Sequence, residues 1–125
     1  MRRAQLIGLA VIVVASGLWA TPAVGQQGTG NQLLSDCAET LKTRGDRTKD
    51  FQASAICMAF IKGIADVSNF PDTPLYRRIC IPSGAVGGQG VRIVFNWLED
   101  HPERLHEPDG HLIIEALREG WPCSP

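Results

Sequence analysis

The sequence predicts an all-α fold: a small bundle of about four helices, arranged as two antiparallel hairpins and stapled by two disulfides. Three observations predict it. Apolar residues recur at three- and four-residue spacing in four separate segments. No segment alternates convincingly enough to read as a strand. Four cysteines, an even number, stand in a short chain that opens like an exported one.

Residues 1–25 read as an export signal. Arg2 and Arg3 give a positive start, and an apolar run follows from Leu6 to Ala20. Ala23 and Gly25 fit the −3 and −1 positions of a signal-peptidase site, so Gln26 is the expected mature start. The competing reading is a membrane anchor, but the apolar run is shorter than the roughly 20 residues a span needs. No cysteine follows it, so lipid attachment is not expected. The expected compartment is the periplasm, with no membrane association after cleavage. Residues 26–32 form a lead-in rich in Gln and Gly, and residues 33–125 form the domain.

The first helix carries Leu33, Leu34, Cys37, Ala38 and Leu41 on one stripe, and Asn31 is placed to cap it. The polar stretch Thr43 to Asp50 is a turn. Thr48 is the expected cap of a second helix, with Asp50 in its first turn favoured by the helix dipole. Its stripe is Ala53, Ile56, Cys57, Phe60, Ile61 and Ile64. Pro71 and Pro74 make Ser68 to Ile79 a loop. Ser83 to Gly90 reads as a flexible Gly-rich connector. A third helix carries Val91, Val94, Phe95 and Leu98, widened by Ile93 and Trp97, and Pro102 ends it. Its β-branched residues admit a strand as the alternative, yet the period is helical. The fourth follows Pro108, carries Leu112, Ile113, Ala116 and Leu117, and stops at Gly120 and Pro122.

The cysteines are Cys37, Cys57, Cys80 and Cys123. A zinc site would want two of them within a few residues of each other, and no such pair exists. Disulfides are the better reading, with three possible connectivities. The hairpins select one. Cys37 and Cys57 lie about ten residues either side of a turn near Asp46, so they face each other across the first pair. Cys80 precedes the third helix and Cys123 follows the fourth, so the second hairpin brings them together. The expected bonds are Cys37–Cys57 and Cys80–Cys123.

Composition excludes several functions. The formal net charge is −1, and aromatics make up 6% of the chain. A nucleic-acid partner needs a basic face and single strands need stacking rings, so neither is expected. Of twelve Lys and Arg, two leave with the signal, so ten basic residues face thirteen acidic ones. A domain this small buries roughly 60–65% of its unfolded surface, which leaves little room for an internal ligand cavity. The Gly-rich stretch lacks the strand and the Lys-Ser or Lys-Thr of a phosphate loop. His101, His106 and His111 recur every five residues, which scatters them around a helix, so solvated turn histidines are expected rather than a metal site. Ser54, Ser68 and Ser83 have no nucleophile-elbow context. No catalytic residue, cofactor or metal is therefore expected, and the chain is read as not an enzyme. Asp66 is free to pair with a basic residue or to touch a partner.

Three motifs in order carry a resemblance. They are CMAFIKGIAD from Cys57 to Asp66, CIP from Cys80 to Pro82, and VRIVFNWLEDHPERLHEPDGHLIIEALREGWPC from Val91 to Cys123. Together they look like the Rap/Tai family of immunity proteins associated with type VI secretion, over most of the chain from about Leu33 to Cys123. The resemblance implies a periplasmic, helical, usually homodimeric protein that binds a peptidoglycan-cleaving amidase toxin and plugs its active-site cleft. The expected contact loop is Asn69, Phe70, Asp72, Leu75 and Tyr76, because it mixes apolar and aromatic residues with polar ones as an interface does. The alternative is a stand-alone periplasmic structural, stress or chaperone-like protein without a toxin partner. A small-ligand carrier is a third option, disfavoured by size.

Overall fold

The structure, a computed structural model, describes residues 28–74 and 78–125. The export segment lies outside the described residues. Within them stand four α-helices and no named strand. They are α1 Gly30–Leu41, α2 Phe51–Ser68, α3 Gly87–Asp100 and α4 Asp109–Gly120. A 3-10 turn, Pro102–Arg104, joins the last two.

Every predicted helix forms, but three begin elsewhere than the sequence suggests. Helix α1 starts before Asn31 rather than at it. Its first amides are satisfied from a distance: Gly30 N–H donates to the Glu107 carbonyl at 3.0 Å and Asn31 N–H to the Leu105 carbonyl at 2.9 Å. The Asn31 side chain also donates to Leu105 O, so it ties α1 to the connection before α4 instead of capping. Asp50, not Thr48, caps α2, accepting from the amides of Gln52 and Ala53. Thr48 is used one step earlier, donating through its amide and hydroxyl to Asp46. Helix α3 takes in the second half of the Gly-rich connector. Gln89 Oε1 accepts the Val86 amide, and the buried Gly90 and Val91 anchor that first turn. Ahead of it the chain turns at Gly84, whose φ of 88° belongs to the left-handed region that glycine enters freely.

Helix α1 packs most extensively on α2, α3 on α4, and α3 also touches α1 and α2. The core is built on the predicted stripes. Val94, Leu98, Leu112, Ile113, Ala116 and Leu117 are fully buried, joined by Leu33, Ile61, Ile79, Val91 and Trp97. Each large aliphatic side chain buried this way is worth about 1.5–3 kcal/mol. One stripe residue departs from expectation. Ile56 is 49% exposed, while Ser54 and Ser68 of the same helix are buried. Which face of α2 turns inward is decided by the neighbours that flank it, and those favour the Ser54–Cys57–Ile61 side.

The two disulfides pair as predicted, Cys37 with Cys57 and Cys80 with Cys123. The first crosses α1 and α2 inside the core. The second joins the segment before α3 to the tail after α4. Trp97 closes the far side of the bundle: its indole N–H donates to Glu119 at 3.0 Å, the His101 ring stacks on it at 4.0 Å, and the Arg104 guanidinium lies 5.1 Å from its ring centre.

Candidate partner-binding surface

Helix α2 is unusually apolar for a helix so poorly covered. Its mean hydropathy is 1.2 over eighteen residues, with Lys62 and Asp66 its only charged groups, yet only 22% of it is buried. A helix hydrophobic on more than one face normally sits inside a protein or against a partner. Folding accounts for the inner face alone.

The outward face borders a groove of about 640 Å³. Ile61, Ala65 and Gly90 line it at the base, with Met58 and Ala59 on the α2 side and Ile81, Val86 and Trp121 on the other. Gly90 lies close to two of them: a Cβ on it would meet the Trp121 ring at 3.4 Å and Ile61 at 3.5 Å, ordinary packing distances. Polar groups stand at one end. Lys62 and Asp66 form an exposed i,i+4 ion pair, and Asn69 borders them. Such a pair contributes little to stability, so both groups are available to a partner.

Asn69 also begins the predicted contact loop, which makes loop and groove one continuous surface. The turn after α2 is held by its own backbone. Asn69 N–H donates to Asp66 O, Phe70 N–H to Val67 O and Thr73 N–H to Phe70 O. The Thr73 hydroxyl lies within hydrogen-bond reach of the carbonyls of Val67 and Phe70. Phe70 is thereby displayed on an ordered turn with 60% of its surface exposed, beside the exposed Asp72. Leu75 and Tyr76 lie outside the described residues. Sequence reasoning proposed the loop and missed the groove. The available signal was the hydropathy of α2, which is too high for a helix with one buried stripe.

The titratable groups with perturbed affinities lie elsewhere. Arg104 donates two hydrogen bonds to Glu107, which hold that carboxyl below its ordinary value and raise the guanidinium. Lys42 and the Asp50 amide lower Glu39 in the α1–α2 turn. Thr48 lowers Asp46 beside it. The three histidines are not brought together. His101 binds the Trp97 carbonyl, His106 is exposed, and His111 faces Glu107 at 3.8 Å. Among the described residues no group of three His, Cys, Asp or Glu is placed to hold a metal ion. The Ser68 hydroxyl donates to the Ala65 carbonyl, and Ser54 is buried beneath α1 contacts. The arrangement therefore offers contact chemistry: an apolar floor, an aromatic on a rigid turn and a polar rim.

No curated protein matches the chain. One family model does, that of the Rap1a immunity proteins, over residues 29–123.

Proposed function

The chain belongs to the Rap1a immunity protein family, and from that premise we propose that it is a periplasmic protein that binds a peptidoglycan amidase toxin of a type VI secretion system and blocks its cleft. The observation that carries this reading is the outward apolar face of α2, continuous through Asn69 with the Phe70 turn. A protein acting alone has no use for so much uncovered apolar surface. Two disulfides suit an oxidising compartment, as export by residues 1–25 requires. The contact residues in this reading are Asn69, Phe70, Asp72, Leu75 and Tyr76, together with the groove that Asn69 borders.

The same reading includes a homodimer. A second stripe on α2, Ile56, Gly63 and Val67, runs beside the groove at helical spacing. Ile56 and Val67 are 49% and 42% exposed, and nothing stands within 4 Å of a Cβ on Gly63. A small residue between two exposed aliphatics allows a second helix to approach closely.

The test is affinity purification of the tagged protein from its own organism's extract, followed by a peptidoglycan hydrolysis assay. An amidase recovered in stoichiometric amount and inhibited one to one supports the reading. An eluate without an amidase, from cells shown to make one, refutes it. Phe70→Ala should weaken amidase binding by about tenfold or more, as removal of a central aromatic does. Its melting temperature should stay unchanged, because the side chain is exposed; unchanged affinity would remove the Phe70 turn from the contact.

A further inference from the structure

We infer that the Cys80–Cys123 disulfide is a thiol-exchange site, open to a dithiol reductant, whose reduction frees one wall of the α2 groove while the helical core stays assembled. This goes beyond the toxin-binding reading and does not depend on it.

The two disulfides occupy unlike surroundings. Cys37 and Cys57 are both fully buried and sit among the core side chains of α1 and α2. Cys80 is exposed and Cys123 half-buried, and both lie outside the helices. Exchange begins when a thiolate reaches a disulfide sulfur, so access decides which bond reacts. The inner bond is out of reach until α1 and α2 separate. The outer bond is reachable in the folded protein.

The outer bond also holds the groove in shape. The Cys80 amide donates to the Trp121 carbonyl at 2.9 Å, so the disulfide and this hydrogen bond clamp the same two segments together. One segment carries Ile81 and the other Trp121, and both line the groove. The core depends little on the clamp. Its fully buried members stand on α1, α2, α3 and α4; of the clamped segments Ile79 is buried in the core, while Ile81 and Trp121 are partly buried and pack against it. Opening the bond therefore loosens Trp121 and Ile81 before it loosens the bundle.

The step balances as follows. A thiolate of the dithiol attacks the sulfur of Cys80, the exposed residue of the pair, forms a mixed disulfide and expels the Cys123 thiolate. The second thiol of the reductant then attacks its own sulfur in that bond and releases Cys80. The reductant leaves as a disulfide. Two electrons pass to the protein, and the protons of the two consumed thiols end on Cys80 and Cys123. A protein dithiol of the same compartment is the class of partner that fits.

The experiment treats the folded, full-length chain with dithiothreitol at neutral pH, traps free thiols with iodoacetamide over time and maps the labelled peptides. Cys80 and Cys123 should be labelled at least about tenfold faster than Cys37 and Cys57, with the helical circular dichroism retained. All four cysteines appearing together, or Cys37 and Cys57 first, would overturn the inference. The groove is read separately by tryptophan emission, which should move to the red on reduction and do so only while Trp121 is present. No shift in the unmodified chain, or a shift that persists in Trp121→Phe, would show that the wall stays seated and would refute the clamp.

Discussion

Gly30→Ala is predicted to destabilise the protein although alanine is the better helix former. Gly30 is the first residue of α1 and is buried. On helix propensity alone the substitution should gain up to about 1 kcal/mol. The surroundings reverse the sign. A Cβ on Gly30 would stand 2.5 Å from Leu112 Cδ1, 2.9 Å from Leu105 Cα and 3.0 Å from the Leu105 carbonyl. The Leu112 methyl can turn aside only into the core, since that side chain is fully buried. The Leu105 backbone cannot retreat without breaking the bond its carbonyl receives from Asn31 N–H. Overpacking of this kind costs about 1–3 kcal/mol, and with contacts this short the upper end applies, so the net loss should be about 2 kcal/mol after the propensity gain. For a domain of this size that lowers Tm by roughly 8–16 °C. The control is Gly88→Ala, in the first turn of α3 with nothing within 4 Å of the new Cβ, which should gain a few tenths to about 1 kcal/mol. Urea denaturation of both variants is the assay. A Gly30→Ala chain as stable as the parent would refute the claim that the Gly30–Leu105 approach sets the sign.

Other expected outcomes follow from the same contacts. Replacing Cys37 and Cys57 together by Ser should cost about 3 kcal/mol from the loop of twenty residues alone, and more from the buried hydroxyls, as measured by the urea midpoint. Glu107, Glu39 and Asp46 titrate below their ordinary values when folded, so their contribution is complete above about pH 4.5 and is lost as pH falls through the depressed values. Stability should therefore fall on acidification below that point, and Glu107→Gln should flatten the fall; an unchanged acid limb would contradict the role of the Arg104 pair. Trp97→Phe removes the indole donor to Glu119 and should cost about 1 kcal/mol, seen as a lower thermal midpoint with helix content unchanged.

What was legible in the sequence were the features written in local spacing. The stripes of Leu33–Cys37, Val91–Leu98 and Leu112–Leu117 state where helices lie and which faces they bury, because a 3.6-residue period leaves apolar side chains on one side. The disulfide pairing follows from the same spacing, since antiparallel hairpins bring fixed positions opposite each other. The motifs from Cys57 to Cys123 carry the family. The loop at Asn69 and Phe70 was visible as well, from its prolines and its mixed composition.

Only the tertiary structure decided the rest, because it depends on groups far apart in the chain. The amides that open α1 are satisfied by carbonyls of Leu105 and Glu107, more than seventy residues away, so no local cap marks its start. Ile56 belongs by period to the buried stripe of α2, but the inner face of that helix is chosen by the elements around it, and Ile56 falls outside. The groove needs Trp121, Gly90 and Ile61 side by side, an encounter produced by the packing of α2, α3 and α4 and fastened by Cys80–Cys123. A sequence period fixes which face of a helix is apolar; how much of that face is covered, and by what, is set by the elements that pack against it.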